Sequence, residues 1–447
     1  MPVRSLKVLQ AVYDFLPIHL AFSLSGQLPS DIRIQNSFEL APCNPLPLSS
    51  LKVYYRKPYL FGKDFRKRQG QRMNAMTKPP QQRRIPIAAQ CLDHGPRLAR
   101  VSSRRFFTEA ETFAEIQLRV SDYYGFDAPN TLWDIYNIEA EALGQKMVFP
   151  EHGIPDVDRT EPLISSPSDL DKLRPPDPRK SGRMPWVHEV NRAYTAKRGK
   201  PAGAFFCAPF SLACNIRGYE RLVMDMVERP GFVHRLFRFL CDEVIVPFVA
   251  AMREETGNPR LLADGYDAWA SPPMITLDMM DEYVVSYVER LREHLGPRVV
   301  IRGHWGDSSA RDPERLFAQK LRCSPGFLSV LDPDLFALGP ERVRDFAEKH
   351  QVFVTAGVDS ALLREGPVHE IAARIRHYID VLGRNGGFSI YLNQIAAETP
   401  PDHIHAAVAA CKTYGRLPIA DDLDRVPFTP PRREGFEEYL KNRGTVS

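Results

Sequence analysis

Two β-patterned stretches, 260–264 and 298–302, each run directly into polar residues that can do chemistry. The first leads into Asp264-Gly-Tyr-Asp267, the second into Gly303-His304-Trp305-Gly306-Asp307. On successive strands of one sheet, Asp264, Asp267, His304 and Asp307 would converge above the strand ends, as catalytic candidates. Carboxylates with one imidazole suit a divalent ion, zinc included, and His304, Asp264 and Asp267 are the metal-ligand candidates. They suit general acid–base work without a metal equally well. The plainer alternative is that Asp264 and Asp267 cap the next segment or hold loop amides. Trp305 offers a face to a planar ligand or serves as a rim aromatic. Asp134 and Tyr136 follow the stretch 126–132, and Asn393 and Gln394 follow 388–392, so these four join Trp305 as candidate cofactor contacts. Glu139, Cys207 and Cys214 also fall after strand-like runs. The remaining histidines, among them His94, His188 and His405, read as solvated.

The elements that must position these residues alternate along the chain. Short apolar runs at 85–89, 126–132, 202–206, 260–264, 298–302, 327–331, 351–355 and 388–392 read as strands. Helical spacing fills 109–124, 217–226, 232–252, 276–295, 340–350, 367–382 and 400–414. Repeated βα units imply a parallel sheet with both faces covered. Eight units over this length predict a single (β/α)8 barrel spanning 83–416, with its site at the C-terminal strand ends. Neither GxGxxG nor GxxxxGK[ST] follows any strand, which disfavours dinucleotide and P-loop folds.

Residues 1–82 differ in kind and are expected to be an irregular, basic, Pro-containing extension. Residues 1–72 hold 11 Lys and Arg against 4 Asp and Glu. Met73 and Met76 stand just before the orderly part, as alternative starts. The stretch 8–24 is broken by Asp14, Pro17 and His19 and does not read as a signal segment. Residues 417–447 read as a C-terminal tail. The remainder, 73–447, holds 48 Lys and Arg against 51 Asp and Glu and is mildly acidic, which argues against a nucleic-acid partner. The 7 cysteines form no CxxC pair and read as reduced thiols in a cytoplasmic protein. No apolar run is long enough for a membrane span.

An ordered series of motifs carries a family resemblance. Ala208-Pro-Phe-Ser-Leu-Ala213 with Arg217-Gly218 resembles the "APFTLA…RG" segment of the uroporphyrinogen decarboxylase superfamily. Glu139-Ala-Glu-Ala-Leu-Gly144, Phe149-Pro150, Ser166-Pro-Ser-Asp-Leu-Asp-Lys-Leu173, Gly182-Arg-Met-Pro185, Gly357-Val-Asp359 with Leu362-Leu363, Gly386-Gly-Phe388 and Glu398-Thr-Pro-Pro401 are similar to its corrinoid methyltransferase branch. The resemblance implies a (β/α)8 barrel acting on tetrapyrroles or on one-carbon groups carried by corrinoids. The Arg-rich "RQAGR" segment of the true decarboxylase has no counterpart in Ile85-Pro-Ile-Ala-Ala-Gln-Cys-Leu-Asp-His94. The branch's zinc ligands, "HxCG" after strand 5 and a late Cys, fall here on Gly303, Trp305 and Asn393. His304 substitutes after a one-residue shift, with Asp264 or Asp267. The resemblance thus implies a corrinoid (cobalamin)-linked methyltransferase or demethylase of a small methylated or methoxylated substrate, served by a separate corrinoid-carrying protein. Two alternatives stand beside it: a tetrapyrrole decarboxylase, and a barrel that binds a corrinoid or other planar ligand without turning it over.

Overall fold

The computed structural model describes residues 84–443, all within one compact unit, Gln82–Ser447. The readings on 1–82, including the alternative starts at Met73 and Met76, lie outside the described residues. It is an α/β fold of parallel sheets among many helices. Strands β4 (Ala204–Cys207), β5 (Ala263–Tyr266) and β6 (Val299–Arg302) form one parallel sheet. Strands β1 (Ile87–Ala89), β9 (Phe388–Leu392), β8 (Phe353–Val358) and β7 (Phe327–Leu331) form another, in that order. The first strand therefore pairs with the last, Ala88 opposite Tyr391. A short antiparallel pair, β2 (Met147–Val148) and β3 (Asp156–Val157), stands apart.

Alternation along the strands sorts the side chains. One set is apolar and buried: Phe206, Ile301, Val330, Ala356 and Ile390. The other set is largely polar: Asp264 and Tyr266, Arg302, Ser329, Thr355, Ser389 and Tyr391. Register keeps this second set on one face, with Tyr266 opposite Arg302 and Thr355 opposite Ser389. The faces of the two sheets look onto common space. Arg302 of β6 lies 4.8 Å over the ring of Phe327 on β7, and Tyr391 of β9 feels the charges of Tyr266 and Arg302.

Helices cover the apolar face. Ala110–Tyr124 buries Phe113, Ile116 and Val120 and stops at Gly125, whose φ of 71° suits a residue without Cβ. Pro340–His350 and β9 fall where the sequence puts them, bounded by Gly339-Pro340 and by Gly386-Gly387.

Three expectations need correcting. Residues 126–132 are not a strand. Pro129 has no N–H, the Asn130 N–H goes to Ser121 Oγ (3.2 Å), and the Leu132 N–H goes to Asn130 Oδ1 (3.1 Å), so side chains replace a ladder. The strand expected at 260–264 runs instead over Ala263–Tyr266, which puts Asp264 inside it. The helix expected over 232–252 carries a wide turn, Leu240–Ile245, just before Pro247. A proline there lacks its donor and crowds the preceding carbonyls, and a wider turn absorbs both.

Candidate functional site

Strand β5 leaves the sheet at Asp267 and β6 at Gly303. The Asp267 N–H still reaches the Arg302 carbonyl at 2.8 Å. Beyond that point the two loops are laced together. The His304 Nδ1 lies 3.1 Å from the Ala270 carbonyl. The Trp305 N–H donates to Ser271 Oγ at 3.0 Å, and its indole N–H to the Ala268 carbonyl at 2.8 Å. The Gly306 N–H donates to Asp334 at 2.7 Å. Gly306 has φ 76°, and a Cβ on it would stand 1.7 Å from the Pro272 carbonyl oxygen. Only glycine allows that approach.

These loops hold two groups ready for proton chemistry. Asp267 is 1% exposed. Its Oδ1 accepts from the Ser211 N–H (2.8 Å) and hydroxyl (2.7 Å), while its Oδ2 has no partner. Burial pushes the Asp267 carboxyl up to about 7, against the pull of the Ser211 bonds. His304 is 4% exposed. Its Nδ1 faces the Ala270 carbonyl, so that nitrogen carries the proton; the ring also lies near the Asp267 carbonyl, and Nε2 makes no hydrogen bond. Burial, then the Lys320 cation, pushes His304 down to about 3, so the imidazole is neutral at physiological pH. A third group, Glu139, sits at the end of β4. Its Oε1 accepts the Cys207 N–H at 2.9 Å, its Oε2 has no partner, and burial pushes it up to about 8.

Other candidates are committed elsewhere. Both Asp264 oxygens accept from Arg302. Asp307 turns away onto the Lys320 ammonium, 2.5 and 2.7 Å from its two oxygens, and both side chains are buried. Asp134 pairs with Arg183 at 3.0 and 2.7 Å, and Arg183 also holds Glu141. Gln394, at φ 31°, donates to Asp93, and the Asn393 N–H goes to the Val358 carbonyl at 3.2 Å. Tyr136 stays close to the site: a Cβ at Gly303 would lie 3.3 Å from its hydroxyl. Trp305 is half-buried at the strand exit.

A catalytic zinc takes three protein ligands. Asp264 is filled by Arg302, so His304 and Asp267 offer one nitrogen and one oxygen. Among the described residues no three His, Cys, Asp or Glu side chains are grouped to hold a metal ion. The arrangement does not fit the metal expected from His304, Asp264 and Asp267. His94, His188 and His405, expected to be solvated, are buried. Burial raises the Cys207 and Cys214 thiols far above the range of a reactive thiolate. Sequence reasoning passed over Ser211 and Lys320. Ser211 lies inside a quoted motif, but nothing in the sequence marks Lys320 as the partner of Asp307.

Among solved structures, a methyltransferase from Methanosarcina mazei is similar at 16% identity with a TM-score of 0.60, over 75% of this chain and 95% of that one. A B12-independent methionine synthase from Shewanella sp. W3-18-1 matches at 11% identity and a TM-score of 0.40, over 70% of this chain and 88% of its own. No curated protein matches the chain. The family model for uroporphyrinogen decarboxylase (URO-D) matches residues 69–414, most of the chain. With the parallel sheets and the fold shared with the archaeal methyltransferase, that match places the chain in the uroporphyrinogen decarboxylase (URO-D) family.

Proposed function

We propose that the chain is a methyltransferase-type enzyme of this family. In this reading it removes a methyl group from a small methylated or methoxylated substrate and passes it to a corrinoid on a separate carrier protein. The two sheets then belong to one closed barrel, and the protein works in the cytoplasm. The observation that carries the reading is the pair of unpartnered buried atoms, Asp267 Oδ2 and His304 Nε2, at the exits of β5 and β6.

When a methyl group departs from an oxygen or nitrogen, the atom left behind holds the bonding electrons and needs a proton. A carboxyl balanced near 7 is about half protonated at neutral pH, which suits Asp267 as the general acid. Neutral His304 accepts a hydrogen bond at Nε2 and so orients the substrate or the acid's proton. A bound corrinoid would supply the nucleophile for the methyl group. Trp305, pinned at both its nitrogens, gives a planar macrocycle a fixed aromatic to rest on. Uroporphyrinogen decarboxylation is disfavoured by the arginines. Arg217 and Arg183 are each engaged by a carboxylate, and Arg302, also paired, keeps only Nη1 without one, so these three offer no row of free guanidinium groups for a polycarboxylate.

The test mixes the protein with reduced cobalamin and a methoxylated substrate and follows cobalamin methylation by its absorbance. Parent protein should turn over, and Asp267→Asn should lose roughly 100-fold or more while melting close to the parent. Decarboxylation of uroporphyrinogen without any methyl transfer would overturn the reading.

A further inference from the structure

The polar face inside the strands contains a feature that proton transfer does not use. Arg302 lies deep among protein atoms, yet its side chain keeps 24% of its surface accessible. Its Nε and Nη2 donate to Asp264, which fixes the guanidinium plane, and its Cζ rests 4.8 Å over the Phe327 ring. Its Nη1 has no protein partner among the described residues and is not among the buried atoms that lack one. Two N–H groups therefore open onto the space between the strands.

A further hydroxyl, that of Tyr391, shares the polar face with Arg302. Tyr266 stands opposite Arg302 in register with its hydroxyl already given to Asp264, and Tyr391 is close enough to both to be coupled electrostatically. The Tyr391 hydroxyl has Gln90 Oε1 as its partner at 3.3 Å, long for an O–H···O bond, so it can turn toward a better acceptor. Gly303 keeps the space above clear. Its φ is 88°, and a Cβ there would press within 3.3 Å of the Tyr136 hydroxyl and the Tyr266 ring.

We propose that Arg302, with Tyr391, is the seat of a single carboxylate on the substrate. The substrate class would then be a small methylated or methoxylated monocarboxylate. This rests on the methyl-transfer reading only for the identity of the reacting end. The geometry connects the two ends. The Arg302 carbonyl accepts the Asp267 N–H at 2.8 Å, so Arg302 closes the strand pair at the point where the loop carrying Asp267 begins. One open nitrogen on one arginine fits one carboxylate, and not the several of a tetrapyrrole. Nη1 only donates, so it favours an anionic acceptor over a neutral amide of the same shape.

The experiment measures binding without turnover. 4-Methoxybenzoate and methoxyacetate are titrated against their neutral amides by ligand-detected NMR at constant ionic strength. Each acid should bind about tenfold tighter than its amide. The double variant Arg302→Gln/Asp264→Asn removes the pair without leaving a lone buried charge, and it should abolish the preference. Tyr391→Phe keeps the pair and the shape, and it should reduce the preference in part, so the test survives if the double variant does not fold. Equal binding of acids and amides by the parent, or an unchanged preference in both variants, overturns the proposal. Acid selectivity without cobalamin methylation would remove the methyl-transfer reading and leave this site standing. Methylation without acid selectivity would do the reverse.

Discussion

Two carboxylates placed alike in the sequence meet opposite fates. Asp267 keeps a buried oxygen without a partner, while Asp307 is closed by Lys320, which also donates to the Ser329 carbonyl at 3.1 Å. Lys320→Met should leave Asp307 buried and unpaired, at a cost of roughly 3–5 kcal/mol in urea melts. Lys320→Met with Asp307→Leu should recover most of that. If the single variant is as stable as the parent, the pair is not structural. Asp267 and His304 predict opposite pH slopes in stability. The Asp267 carboxyl is raised from 3.8 to about 7, so it binds its proton more tightly when folded; its contribution is full below 3.8 and is lost as pH rises through about 7. His304 is lowered from 6.5 to about 3, so its contribution is full above 6.5 and is lost as pH falls toward 3. Thermal midpoints against pH should flatten on the alkaline side in Asp267→Asn and on the acid side in His304→Gln. Activity needs protonated Asp267 and should fall above pH 7; a profile that Asp267→Asn leaves unchanged rejects that role. The residue types of this site were legible in the sequence. Their partners were not, because Lys320 and Ser211 come from helices that tertiary packing brings in. His304 is buried, so His304→Ala leaves a cavity, and the amide variant is the better probe.

At the scale of elements, the exits of β5 and β6 act as one unit. His304 and Trp305 are tied to the 268–271 backbone and Ser271, and Gly306 lies flat against Pro272. Gly306→Ala cannot be absorbed by a side-chain shift, because the obstacle is a backbone carbonyl. The turn must move, so the midpoint should drop and both Asp267 and His304 should lose their places. Gly303→Ala, at φ 88°, meets the Tyr136 and Tyr266 side chains at 3.3 Å and the Asp267 nitrogen at 3.4 Å, far looser than 1.7 Å, and should cost less. Equal melting of the two variants would remove the argument. Most elements were readable because proline and glycine punctuate them, as at Gly339-Pro340. Residues 126–132 misled because their apolar alternation is real, while Asn130 and Ser121 take the hydrogen bonds a strand would have offered. The inward polar set was also missed. Strands such as 298–302 read as apolar runs, and only register shows that Arg302 joins Asp264, Tyr266 and Tyr391 on a shared face.

For the whole molecule, the pairing of β1 with β9 brings the two ends of the described unit together, and the tail builds on that junction. Residues 417–443 fold back onto the helix Ala110–Tyr124. The Tyr123 ring lies 5.1 Å from both Phe436 and Tyr439, and its hydroxyl donates to the Glu434 carbonyl at 2.8 Å. Ile419, Leu423, Phe436 and Tyr439 are all buried, and Arg376 pairs with Asp424 at 2.8 Å. Burying an apolar side chain of this size is worth about 1.5–3 kcal/mol, so a chain ending at 416 should lose several kcal/mol and expose Tyr123. The compact unit begins at Gln82, so a chain beginning at Met73 retains the unit whole. That chain should melt and bind methoxybenzoate like the parent, while the chain ending at 416 melts well below it. No loss of stability on removing the tail would mean its aromatic contacts add little, and a collapse on starting at Met73 would mean the fold needs residues before the unit's boundary.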